Sequence, residues 1–336
     1  MPQKLRWGCL STAQFARNTF LPAVPACEHA ELYAIASRDA ERARAAAAKL
    51  GIPHAYSTYE ELLADPAVDV VYIPLPNHLH LEWSVRAAAA GKHVLCEKPL
   101  ALNAGEVKEL MAAREKYGVE IQEAFMVRTH PQWLRARELV RSGVIGELRA
   151  VQGFFSYDNR DPENVRNRYV DGGGALYDIG CYTITTSRML FGQEPRRVIG
   201  LIERDPDFRV DRLTSAIFDY PGGQAVWTVG TQVVPCQRVQ AIGTKGRIEV
   251  EIPFNAPNDR PARILIDPTG DLTGADIRVE EFPVCDQYTI EADTFSRAII
   301  EGAAVAVPLE DSLANMAAID AVFRSAASGN WEAPTL

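Results

Sequence analysis

Two stretches of this 336-residue chain carry side chains that can move a proton. Glu97-Lys98-Pro99 closes the run HVLCEKPL, and Asp178 and Tyr182 stand four apart in GGGALYDIGCYTI. Tyrosine, with a pKa of about 10, is a poor base at neutral pH. A lysine cation beside it favours the tyrosinate and lowers that pKa. Oxidising an alcohol removes a hydroxyl proton as a hydride passes to a nicotinamide, and Lys98 with Tyr182 suits that task. A spacing of four on a helix puts Asp178 on the face of Tyr182, where it can orient a substrate hydroxyl or position Lys98. Taken singly, each has a plainer reading: Lys98 as a surface lysine, Tyr182 as a core tyrosine, Gly172-Gly173-Gly174 as a flexible turn. Their co-occurrence favours the chemistry.

The elements that must position these residues differ between the two halves of the chain. Through residue 124, strand and helix signals alternate. Apolar runs predict strands at Leu5–Leu10, Leu32–Ala36, Asp69–Ile73, His93–Cys96 and Glu120–Ala124. Between them, helices are predicted at Ala40–Leu50, ending at Gly51, and at His78–Ala90 and Ala104–Tyr117. Ser57-Thr58-Tyr59-Glu60 reads as a capping box opening a short helix. The pattern is that of a doubly wound parallel sheet, an α/β unit whose ligands bind beyond the carboxyl ends of the strands.

After about residue 145, strands follow one another without helices: Arg149–Tyr157, Arg197–Glu203, Thr214–Tyr220, Gln224–Gly230, Arg238–Ile242 and Arg247–Glu251. Turn signals stand at Tyr220-Pro221-Gly222-Gly223-Gln224 and Thr244-Lys245-Gly246. Helices follow near Ile290–Glu301 and Leu309–Ser328. This half reads as α+β, built on a large, mainly antiparallel sheet. The expected domains are 1–124, binding a dinucleotide, and 125–336, binding substrate and mediating oligomerisation.

Composition narrows the function. The net charge of −9 argues against a nucleic-acid surface, and no apolar run approaches the length of a membrane span. The first residues lack a signal-peptide core, so a cytoplasmic location is expected. The six cysteines form no C-x-x-C pair and no histidine pair has zinc-ligand spacing, so no metal is expected.

Ser11-Thr12-Ala13-Gln14-Phe15-Ala16 lies where a dinucleotide-binding chain shows G-x-G-x-x-G; all three glycine positions hold small residues instead. Ser11, Ala13 and Phe15 are placed against the cofactor. An NAD enzyme usually ends its second strand with an acid that binds the ribose 2′-OH. Here Ser37 holds that position and Arg38 follows, with Arg42 one turn on. A hydroxyl and a guanidinium suit a 2′-phosphate, so NADP is the expected cofactor. Asp39 can also reach a ribose, which leaves NAD as the alternative.

The E-K-P and D-I-G-x-Y stretches, with PLPNHLH and PLEDSLANM, resemble the Gfo/Idh/MocA oxidoreductase family over nearly the whole chain. The tyrosine and the phrase EAFMVRTHPQ are most similar to the branch of glucose–fructose oxidoreductase, NADP-dependent xylose dehydrogenase and dimeric dihydrodiol dehydrogenase. The resemblance implies catalytic roles for Lys98 and Tyr182, beside Asp178. It sets the loop Leu75, Pro76, Asn77 and His80, together with Glu97 and Lys98, against the cofactor. Asn77 reads equally as a helix N-cap. Arg128 and His130 can touch cofactor or substrate; Trp133 reads as packing. Arg166 or Arg168 reaches the substrate, with no choice between them.

The expected activity is NADP-dependent oxidation of an aldose at C1 to the lactone. The alternatives are a dihydrodiol dehydrogenase, a dicarbonyl-sugar reductase, a sugar–sugar oxidoreductase with tightly held NADP, and a non-catalytic NADP sensor. The expected partners are a small sugar or polyol and further copies of the chain. A homodimer or homotetramer would form through the C-terminal sheet, with Val226, Trp227 and Val229 supplying apolar area.

Overall fold

The computed structural model describes residues 3–336. In chain order it begins with β1 (Leu5–Leu10) and a helical run, 14–26, in which a π turn (Ala16–Phe20), α1 (Leu21–Ala23) and a 3-10 turn follow one another. Then come β2 (Ala30–Ala36), α2 (Ala40–Leu50), β3 (His54–Tyr56), α3 (Tyr59–Ala64) and β4 (Val70–Ile73). Next are α4 (His80–Ala89), β5 (His93–Glu97), α5 (Ala104–Tyr117) and β6 (Ile121–Ala124). All six strands pair in parallel in the order β3-β2-β1-β4-β5-β6. Every residue of β4 and β6 is buried, as a sheet covered on both faces requires. β3 has no apolar signal in the sequence, and two of its three residues are exposed. The capping box of α3 uses Thr58 and Glu61, one residue beyond the expected pair.

The chain continues through α6 (Pro131–Arg141), β7 (Leu148–Asp158) and α7 (Cys181–Phe191), then β8 (Arg197–Arg204), β9 (Asp211–Tyr220) and β10 (Gly223–Gly230). It goes on through β11 (Gln232–Gly243), β12 (Arg247–Val250), β13 (Ala262–Asp267), β14 (Arg278–Phe282), α8 (Gln287–Glu301) and α9 (Leu309–Ser328). The eight strands lie in the order β14-β13-β12-β11-β7-β10-β9-β8 and pair antiparallel except β7 with β10. All of α7 except Phe191 is buried. Trp227 and Val229 are buried too, whereas Val226 points the other way and is exposed. Strand alternation therefore removes Trp227 and Val229 from the expected association surface. Leu201, Ile217 and Val226 supply exposed apolar area instead.

The chain divides into two compact units. The first ends at Thr129, not at residue 124, and regains 286–312; the second holds 130–285 and 313–336. The return of α8 has a packing cause. Its Phe295 meets Trp7 edge-on at 6.1 Å, and Ser296 accepts the Trp7 indole N–H at 3.0 Å. Its Tyr288 meets Phe15 at 5.5 Å. Among the described residues, no helix is long and apolar enough to cross a membrane.

Candidate functional site

In the first unit, the turn after β1 has the backbone of a glycine turn without the glycine. Ser11 has φ 141°, a conformation side chains rarely adopt, and its Oγ accepts the Ala13 amide at 2.9 Å. The second strand ends on buried Ser37, whose Oγ accepts the Asp39 amide at 3.2 Å and keeps its own hydrogen to donate. Asp39 is the N-cap of α2. Its carboxylate accepts from the Glu41 and Arg42 amides at 3.0 and 3.2 Å, with Arg42 Nε 3.5 Å away. Arg38 is exposed. Burial raises the pKa of the Tyr59 hydroxyl, and the Arg38 charge opposes this. Sequence reasoning missed Tyr59, although the Thr58 cap sets it at the first helical position directly after β3.

The loops after β4 and β5 are pinned from two sides. His80 is fully buried, with Nδ1 2.8 Å from the Pro99 carbonyl and Nε2 2.8 Å from the Leu75 carbonyl. Burial lowers its pKa to about 4, and a neutral ring donates only one of these bonds. His80 thus braces the loops that carry Leu75, Pro76 and Lys98. Glu123 on β6 accepts the Leu100 amide at 2.9 Å, a second brace not anticipated. Tyr72 donates to Glu97 at 2.6 Å. Asn77 is the first residue of a short 3-10 turn, and neither that turn nor α4 has a side-chain N-cap, so the capping alternative falls. Arg128 is ion-paired with Asp311 at 2.9 Å.

In the second unit, Asp178 lies in the π turn Leu176–Gly180 that leads into α7. Arg166 Nε is 3.0 Å from its Oδ1, and the Tyr157 hydroxyl donates to its Oδ2 at 2.5 Å. Arg168 pairs instead with Asp171. Tyr157 on β7 was not foreseen. Tyr182 is buried, with its ring 5.9 Å from Phe155 and 5.4 Å from Phe254.

The glycine run is a fitted part rather than a flexible one. A Cβ on Gly173 would stand 2.4 Å from the Arg166 carbonyl, and one on Gly174 2.0 Å from Asp211 Oδ1. Asp211 accepts the Leu176 amide at 2.6 Å, and burial raises its pKa to about 6. His130 caps α6, accepting the Gln132 amide at 3.2 Å, with Nε2 3.5 Å from Cys285 Sγ; burial lowers its pKa to about 4. Trp133 is fully buried and donates to the Pro253 carbonyl at 2.6 Å, as packing predicts.

The first unit fits a dinucleotide. Ser11 keeps the tight turn, Arg38 stands exposed just past the second strand, and the adjacent acid, Asp39, is occupied in capping α2. Residues 6–125 match the oxidoreductase family with an NAD-binding Rossmann fold, and 133–249 match the Gfo/Idh/MocA C-terminal domain. An uncharacterized oxidoreductase of Rhizobium meliloti is 47% identical, the match covering 98% of each chain. The NADP(+)-linked D-xylose 1-dehydrogenase 2 of Haloferax volcanii is 40% identical over 97% of this chain and 98% of its own. The aldose-aldose oxidoreductase of Caulobacter crescentus superposes with a TM-score of 0.89 at 28% identity, covering 98% of this chain and 100% of its own. With both domain models matched and full-length relatives at this identity, the chain belongs to the Gfo/Idh/MocA family of oxidoreductases.

Proposed function

We propose that the protein is an NADP-dependent aldose 1-dehydrogenase, converting a sugar such as xylose or glucose to its lactone. The observation that carries this reading is Asp178, a carboxylate held by Arg166 and Tyr157 four residues before Tyr182 on a helix with aromatic neighbours. Ring faces with a few fixed polar groups suit a small polar ligand that has an apolar face. The kinship with a D-xylose dehydrogenase supports the substrate class.

NADP, when bound, takes up or returns the hydride at its nicotinamide. Tyr182 accepts the proton of the C1 hydroxyl, and Lys98 is the residue of the first unit to which the family resemblance gives a catalytic role. Asp178 accepts a hydrogen bond from a neighbouring sugar hydroxyl. Ser37 and Arg38 grip the 2′-phosphate, while Ser11 and Ala13 turn the chain at the pyrophosphate. His80 and Glu123 hold the Lys98 loop. The test is a panel of aldoses, polyols and diols with NADP and NAD, following absorbance of the reduced cofactor. Turnover of diols but of no aldose would overturn the reading.

The fold match with an aldose-aldose oxidoreductase favours one second reading, a sugar–sugar oxidoreductase that retains its nucleotide. Purified protein that reduces one aldose at the expense of another without added NADP would select it. The exposed apolar side chains Leu201, Ile217 and Val226 support self-association through the second unit's sheet. Light scattering of the native chain and of Val226→Lys tests this; a native monomer at micromolar concentration would overturn it.

A further inference from the structure

We propose that Glu97 and Glu291, both in the first unit, act as a carboxyl pair that sets the preference of the cofactor site for the oxidised, positively charged nicotinamide over the reduced, neutral one. The inference rests on reading this unit as an NADP site. Glu97 is the last residue of β5, at the carboxyl edge of the parallel sheet, where ligands of doubly wound folds bind. The Tyr72 hydroxyl fixes its Oε1 at 2.6 Å. The Tyr72 ring stacks on Phe20 at 3.8 Å, and Tyr288 of α8 meets Phe20 at 6.4 Å. Glu291 follows Tyr288 by one helical turn and so shares its face of α8.

Glu291 is 2% exposed, and its Oε1 is buried without a hydrogen-bond partner. A bare buried carboxylate in that position is expensive. Burial first, then the negative charge of Glu97, pushes its pKa well above the carboxylate range. Glu291 therefore holds a proton, and losing it would set a second negative charge in the field of Glu97. The groups around them are Tyr72 on β4, Cys9 on β1 and Tyr288 on α8, all kept protonated by burial. The charged neighbours are Lys98, beside Glu97, with Glu123 on β6 and Asp286 at the start of α8.

The sign follows directly. With one proton on the pair, the strand end carries one negative charge; when that proton leaves, it carries two. The second charge attracts the nicotinamide cation and does nothing comparable for the neutral reduced ring. Affinity for NADP+ relative to NADPH should therefore rise with pH, and by linkage NADP+ binding should expel a proton. Glu291→Gln keeps the shape and holds the pair at a single charge.

The experiment measures dissociation constants of both nucleotides by titration calorimetry, for the native chain and for Glu291→Gln. In the native chain the ratio Kd(NADPH)/Kd(NADP+) should rise at least about fivefold between about pH 6 and about pH 9. In Glu291→Gln it should change less than about twofold over that range. The two proteins differ only at residue 291, so the difference between them isolates Glu291. Equal slopes in the two proteins, or a flat native ratio, overturn the proposal. Failure of both nucleotides to bind the native chain overturns the NADP reading itself and the pair's role with it. If Glu291→Gln melts far below the native chain, Glu291→Met, of similar length and without a proton to exchange, is held to the same outcomes.

Discussion

The Tyr157 hydroxyl donates to Asp178 at 2.5 Å, joining an inner strand of the second unit's sheet to the turn that opens α7. A donor aimed at a carboxylate stabilises its ionised form. Tyr157→Phe removes that donor and leaves the ring. The acid limb of kcat/KM should then move to higher pH, because Asp178 becomes easier to protonate. At neutral pH, kcat/KM should fall by about 10–100-fold, the worth of a hydrogen bond to a charged group. A pH–rate profile of the variant beside the native enzyme checks both. An unmoved acid limb would remove Tyr157 from the site.

Arg38 and Asp39 are adjacent and should respond differently. Arg38→Ala should weaken NADP by about tenfold or more and NAD little, since two charge-assisted hydrogen bonds go with the guanidinium. Asp39→Ala should leave the NADP/NAD ratio unchanged and cost about 0.5–2 kcal/mol of stability, because its carboxylate caps α2. Paired nucleotide affinities and denaturation midpoints separate the two. A shift toward NADP on losing Asp39 would return the carboxylate to the ribose.

Tyr182→Phe should keep the fold and NADP affinity while losing about 10²–10⁴-fold in turnover. Lys98→Met should be similarly damaging. Single-turnover kinetics with an active aldose provide the measurement. Near-native chemistry in Tyr182→Phe would take the proton-acceptor role away from it.

Two buried histidines give the fold an acid limit. His80 and His130 titrate at about 4 when folded, against about 6.5 unfolded, so the unfolded chain binds more protons as pH drops between those values. Stability is fully present above about pH 6.5 and is lost on the way to about pH 4, by about 3 kcal/mol for each histidine. Asp211 works against this. Its folded pKa of about 6 lies above the ordinary value, so its contribution is greatest in acid and fades as pH rises through 6. Two histidines outweigh one aspartate. Urea midpoints from neutral to mildly acid pH should fall, and His130→Asn, which preserves the α6 cap, should remove about half of the histidine slope.

What the sequence made legible was local. Leu5–Leu10, Ala40–Leu50, Ala104–Tyr117 and Leu309–Ser328 have the same limits as the elements they predict, because apolar runs, caps and glycine stops lie within a few residues of one another. Asp178 and Tyr182 stood out as a pair because they are four apart in one short run. What escaped was set by partners far along the chain. β7 pairs in parallel with β10, and Tyr157 meets Asp178, through contacts that no window of sequence contains. The role of Glu123 likewise depends on Leu100 arriving from the loop after β5.

The late return of α8 bears on how the molecule is made. Trp7 and Phe20 are synthesised well before the side chains that cover them, Phe295 and Tyr288. The first unit can collapse early but cannot close its core until α8 has been made. Until then its tryptophan indole lacks the Ser296 acceptor, and an aromatic surface stands open to solvent. A chain interrupted after Cys285 would keep every strand of the parallel sheet and still be a client for chaperones rather than a finished domain.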